Sequence, residues 1–234
     1  NVASDHLGEY GIQSVADMAQ VKGMVLRAVD PEGRRVLNWD DPLVRALGAQ
    51  DGAPITWFTM GGVSPAIADH LHAGGEAWLL EDGWLCYRTE HTHHALVRAD
   101  AIPATFGGAA QHNTANALGA AALCHALGAP IEAISAGLLS FGAEANDNPG
   151  RCQLYEHQGV RLILDFGHNP HGVSAMLRMA HELTGERSDA RLWVSIGQAG
   201  DRSDEDLHGL AEAIADAQPE LISLREIVGY ERGR

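Results

Sequence analysis

Lysine is nearly absent from this chain: of its 16 basic side chains only Lys22 is a lysine, and the rest are arginine. Positive charge is scarce altogether, because 31 acidic residues outweigh those 16 and leave a formal charge of −15. A surface that acidic repels phosphate backbones and anionic lipid, which argues against nucleic-acid or membrane partners. Cysteine is scarce too. Cys86, Cys124 and Cys152 stand far apart without CxxC spacing, so they read as reduced cytosolic thiols and place the chain in the cytoplasm. No apolar run approaches the ~18 residues of a membrane span. No GxxxxGK[ST] sequence occurs, so these 234 residues contain no phosphate loop of that kind.

What is present describes a soluble globular chain. Hydrophobic residues make up 45% and charged ones 20% of 234 residues, enough for one large domain or two of ordinary size. Apolar spacing predicts a helix over residues 15–28, a short strand in "RRVLNWDDP", a helix in "DPLVRALGAQ" and a strand in "PITWFTM". "EAWLLEDGWLCYR" and the segment after it predict antiparallel strands with a hairpin at Asp82-Gly83. The alanine-rich "NTANALGAAALCHALG" and "PIEAISAGLLSF" predict two helices, the first stopped by Gly128 before Pro130. "GAEANDNPGR" then breaks every periodicity and reads as a linker. Beyond it, strands alternate with helices of 12 to 15 residues, the pattern of βαβ units and a parallel sheet. The fold class is therefore α/β, with one domain over 1–146 and a parallel-sheet one over 147–234.

In open α/β sheets ligands gather at the carboxyl ends of strands. Asp165, which ends "VRLILD", stands there; it suits a ribose diol, and it suits capping of the next helix equally well. "GQAGDR" (197–202) occupies the same position one unit later, without GxGxxG spacing. Asn113 and Asn116, three apart at a helix start, share a face on which their amides can read a base edge or simply cap the helix. Arg151 ends the linker, where a guanidinium either clamps a phosphate or stays solvated. His91, His93 and His94 in "HTHH" alternate on a strand as transition-metal ligands can, but no cysteine or carboxylate at ligand spacing accompanies them, so a metal site is not expected there.

The order of "SDHLGEYG", Lys22, "VLNWDDPLV", "HNTANAL", "NPGR" and "DFGHNP" resembles the Mur ligase family over about residues 1–228. "DHLGEYGI", "DNPGR", "FGHNPHG" and "GDRSDEDL" bring it closest to the cyanophycin synthetase branch. The resemblance implies the remnant of a central ATPase domain followed by an incomplete, Rossmann-like ligase domain, with the active site between them. It implies ATP-dependent amide formation through an acyl phosphate, with ATP and Mg2+ as cofactors. The partners implied are a small amino acid such as arginine and a peptide or polymer carboxylate. His6 is similar to a magnesium-binding imidazole, and Lys22 to a lysine whose carbamate also binds magnesium. Asn113 and Asn116 resemble the adenine-contacting pair, Arg151 the arginine on the terminal phosphate, and Asp165 the ribose acceptor. His168 and Asn169 are expected beside the nucleotide and the incoming amine. In this family the phosphate loop lies upstream and the last strands downstream. Asn1 in place of an initiator Met and the end at "GYERGR" fit such a fragment, expected to be inactive alone and prone to self-associate through an uncovered edge strand. A muramyl-peptide or folylpolyglutamate ligase, or a binding module that keeps the fold, are the competing expectations.

Overall fold

The computed structural model describes residues 1–3, 11–50, 52–144, 147–185, 190–197, 203–226 and 228–229. It divides into two compact units, one of Asn1–Val2 with Ala16–Asp147 and one of Ala3–Val15 with Asn148–Arg234.

In the first unit, α1 (Val15–Gly23) passes into a 3-10 turn over Met24–Ala28, where an uninterrupted helix was expected. The chain then builds β1 (Arg35–Asn38), α2 (Pro42–Gly48), β2 (Ile55–Thr59), α3 (Pro65–His72), β3 (Glu76–Glu81), β4 (Trp84–Arg88), β5 (His93–Arg98), α4 (Gln111–Ala126) and α5 (Ile131–Ser140). The five strands form one sheet in chain order: β1, β2 and β3 pair parallel, while β3, β4 and β5 pair antiparallel. Connection length explains the change of direction. A helix-length crossover lets a strand return parallel, whereas the two-residue turn after β3 allows only a hairpin. In that turn Asp82 and Gly83 both take positive φ, 49° and 80°, the backbone that matches strand twist.

The "AWLL" run of β3 is apolar on both faces because both faces are covered. Ala77 and Leu79 pack with Leu37, Trp57, Ile67 and Leu71, towards α2 and α3. Trp78 packs on the other side with Leu85, Leu118, Ala122 and Ile134, towards α4 and α5. Small residues let α4 approach closely: a Cβ on Gly119 would sit 3.3 Å from the Phe58 ring. Asp41 and Ser64 cap α2 and α3, each followed by a proline at the first helical position, where its missing N–H costs nothing. α3 follows the "PITWFTM" strand and was not anticipated.

In the second unit, β6 (Gln153–His157) and β7 (Val160–Leu164) form an antiparallel hairpin, followed by α6 (Pro170–Thr184), β8 (Trp193–Ile196), α7 (Asp204–Asp216) and β9 (Leu221–Leu224). β8 and β9 pair parallel across α7, so this βαβ unit is as expected. The single parallel sheet running from β6 to β9 is not: among the described residues β6–β7 and β8–β9 are separate ladders. The first ladder is antiparallel because Gln158 and Gly159 alone connect its strands, again with positive φ. Val173 and Leu177 of α6 meet Leu210 and Ile214 of α7, four residues apart on each helix, with Val194 and Ile196 of β8 against them. That cluster is the core of the unit.

Candidate functional site

Arg151 and Asp165 line the same shallow cleft of about 370 Å³ in the second unit, with Pro149, Gly150, Leu164 and Phe166. The hairpin creates this proximity. Its register sets Gln153 opposite Leu164, so the residues just outside, Cys152 and Asp165, also face each other. Asp165 Oδ2 accepts the Cys152 N–H at 2.9 Å and lies 3.7 Å from its Sγ. The carboxylate thus closes the open end of the hairpin and does not cap the next helix. Capping falls to Asn169, whose Oδ1 accepts the Gly172 N–H at 2.8 Å at the start of α6. The Arg151 guanidinium stands over the Phe166 ring, 5.3 Å from its centroid, a cation–π contact that holds the charge at the cleft rim. His168 turns back on the same loop, its Nδ1 3.0 Å from the Phe166 carbonyl oxygen and its ring 5.5 Å from the Phe166 ring. One guanidinium and one carboxylate in an open cleft can hold an anion and a hydroxyl-bearing group side by side.

The remaining described candidates belong to the first unit. Lys22, in the last turn of α1, is exposed and lines a cleft of about 260 Å³ with Asn1, Val2, Asn38 and Phe58. That cleft reaches Asn38, at the carboxyl end of β1, where the Asn38 amide donates to Asn1 Oδ1 at 2.5 Å. Beside it Asp40 accepts the Thr59 hydroxyl at 2.5 Å and the Met60 N–H at 2.8 Å, joining the carboxyl ends of β1 and β2. The sequence reading gave no role to Asn38, Asp40 or Thr59; their position after parallel strands was the available signal.

Asn113 and Asn116 do not cap α4, whose N-cap is Ala110. They form a relay instead: Asn116 Nδ2 donates to Asn113 Oδ1 at 3.3 Å, and Asn113 Nδ2 donates to the Ala104 carbonyl at 2.7 Å. Asn116 is the exposed end of it. His6 and residues 198–202 of "GQAGDR" lie outside the described residues.

One cluster overturns the reading of "HTHH" as histidines without ligand partners. His93 Nε2 lies 3.3 Å from Glu81 Oε2, and Glu81, Cys86 and His93 bring their donor atoms within 4.8 Å of one another. Residues 7 and 12 positions away meet His93 only through strand register, which local spacing does not reveal. Burial first, and the Glu81 charge second, push the Cys86 thiol up to about 11.

The segment that carries the Arg151–Asp165 cleft is similar to Mur ligases, and so is the fold. Residues 150–227 match the Mur ligase glutamate ligase domain, and the fold is that of a murein peptide ligase from Psychrobacter arcticus, with a TM-score of 0.54 at 14% identity over 91% of this chain and 47% of that one. Over most of its length the chain is similar to cyanophycin synthetases: it is 37% identical to that of Geminocystis herdmanii over 88% of its length, and 36% identical to that of Nostoc sp. over 92%. It spans only 23% and 24% of those two proteins.

Proposed function

We propose that this chain is part of an ATP-dependent carbon–nitrogen ligase that joins arginine to aspartate side chains of a polymer, acting through an acyl phosphate in the manner of cyanophycin synthetase. The observation that carries the reading is the shared cleft of Arg151 and Asp165 inside the segment that matches the ligase domain. We assign the ATPase remnant to residues 1–146 and the ligase domain to 147–234.

The Arg151–Asp165 pair suits the phosphate and ribose of a nucleotide. Bound ATP supplies the phosphoryl group that turns a carboxylate oxygen into a leaving group. The Arg151 guanidinium offsets charge on the terminal phosphate, fixed in direction by the Phe166 ring beneath it. Asp165, with Oδ2 engaged by Cys152, presents Oδ1 to the ribose hydroxyls. Asn116 reads the adenine edge while Asn113, tied to Ala104, keeps it in place. His168 faces the incoming amine. Lys22 as an ammonium does not suit a magnesium ion, since like charges repel; as a carbamate, formed when its neutral amine adds to carbon dioxide and a proton passes to solvent, it becomes an oxygen ligand, a conversion open to lysine and closed to arginine. His6 is assigned as the imidazole ligand of the same ion.

Phosphate release by the full-length protein tests this, with arginine set against other amino acids in the presence of an aspartate polymer. Release that depends on arginine is expected. Release driven equally well by glutamate with a muramyl peptide or a folate, or by no amino acid, overturns it. The 234-residue chain alone, without a GxxxxGK[ST] loop, is expected to turn over no ATP.

A further inference from the structure

Glu81, Cys86 and His93 come from three successive antiparallel strands, β3, β4 and β5, and share one face of the sheet. Pairing sets Glu81 opposite Trp84, Cys86 opposite Leu79 and Arg88 opposite His93. Trp84, Cys86 and Arg88 alternate along β4 and point the same way, so their partners Glu81 and His93 point that way too. His94, paired with Tyr87, belongs to the other face, and His91 Nε2 pairs with Glu90 at 3.5 Å.

The cluster carries an unmet demand. Glu81 Oε1 is held by Arg88 Nη2 at 3.3 Å, while Oε2 is buried and faces His93 Nε2 at 3.3 Å and the Cys86 thiol, with no hydrogen bond of good geometry. A buried carboxylate oxygen that is so weakly satisfied is costly, and a cation shared with the imidazole and the thiol would satisfy it. Beside it stand the sulfur of Cys86, a residue 2% exposed, and an imidazole nitrogen at 3.3 Å. A thiol, an imidazole and a carboxylate are the donor types that zinc takes, and a sulfur donor selects against magnesium and calcium.

We infer that Glu81 Oε2, Cys86 Sγ and His93 Nε2 form a three-ligand site for a transition-metal dication of the zinc class, tetrahedral, with its fourth position open to water. Zinc bonds of about 2.0–2.3 Å set tetrahedral ligands roughly 3.3–3.8 Å apart. The donors, all within 4.8 Å of one another, therefore need to close by up to about an ångström. His93, with 52% of its side chain exposed, is free to swing inward. Binding replaces the S–H bond with a sulfur–metal bond, the proton passing to solvent, and no electron is transferred. Arg88 orients Glu81 from behind, as outer partners of metal ligands do. Such an ion ties β3, β4 and β5 together, and the inference stands or falls independently of the ligase reading.

Cobalt(II) is the probe. In the chain with Cys124 and Cys152 replaced by serine, any thiolate-to-cobalt absorption belongs to Cys86. Titration is expected to develop that band, with tetrahedral visible bands, up to one equivalent, and zinc is expected to bleach both. H93Q and E81Q are expected to weaken binding by about 10–100-fold, and C86S to abolish the thiolate band. His93 is half-exposed, so H93Q should fold; unchanged circular dichroism establishes that, and a zinc-induced rise in thermal midpoint present in the parent should vanish in it. No thiolate band at one equivalent, or cobalt affinity unchanged in C86S or in H93Q, overturns the inference.

Discussion

The Asp165 carboxylate accepts the backbone N–H of Cys152 at 2.9 Å, so the residue just after β7 also fastens the chain entering β6. One side chain thereby serves both the hairpin and the cleft that Arg151 shares, and substitution separates the two roles.

Asp165→Ala removes a part-buried hydrogen bond, and urea denaturation of the chain should show a loss of about 1 kcal/mol. In the full-length protein the same change is expected to raise the KM for ATP about tenfold or more, the effect of losing a hydrogen bond to a charged group. An unchanged KM would remove Asp165 from the nucleotide site.

Arg151→Ala should leave the thermal midpoint of the chain almost where it was, because an exposed cation–π contact contributes only about 0.5–1 kcal/mol. Phosphate release by the full-length protein should fall by about 100-fold or more, and Arg151→Lys should recover little of it, since lysine lacks the planar fork. A midpoint that collapses together with activity would make Arg151 a structural residue.

Leu118→Ala opens a cavity where α4 crosses the sheet. Leu118 is fully buried against Trp78 and its neighbours, so the expected loss is about 2–5 kcal/mol by chemical denaturation. A loss under ~1 kcal/mol would mean that the core around α4 relaxes to fill the gap.

His70 gives the first unit an acid limb of stability. Burial is the main reason its pKa lies below the ordinary 6.5; hydrogen bonding to the Glu76 and Ile55 carbonyls and the Glu76 charge pull the other way, and Arg34 adds to the lowering. The folded chain therefore binds fewer protons than the unfolded one below pH 6.5, and stability rises with pH in that window. The His70 contribution is complete above 6.5 and is lost as pH falls through the lower folded value. Urea unfolding between about pH 7 and pH 5 should show the slope, and His70→Gln should flatten it. An identical slope in the variant would assign the acid sensitivity to other groups.

Elements whose signal is local were legible in the residues. The Asp82-Gly83 hairpin, the alanine-rich α4 stopped at Gly128, α6 and the β8–α7–β9 unit each announce themselves within their own few residues, through φ preference or a helical period. The second-unit sheet was misjudged because strand-like "CQLYEHQG" and "VRLILDFG" state nothing about pairing direction; Gln158-Gly159, read as a turn, would have forced the antiparallel hairpin. α3 was missed because its eight residues follow a strand and carry only Ser64 and Pro65 as a starting signal.

Residue chemistry and motif order alone were enough to set out α/β architecture, the Mur ligase likeness and the candidates Lys22, Asn113, Asn116, Arg151, Asp165 and His168, since short-range patterns and side-chain types are written along the chain. Distances across strands are not. That Asp165 bonds Cys152 while Asn169 caps α6, that Asn116 leans on Asn113 and not on the helix end, and that Glu81, Cys86 and His93 converge were settled by register and packing, which bring together residues whose separation along the chain carries no trace of their contact.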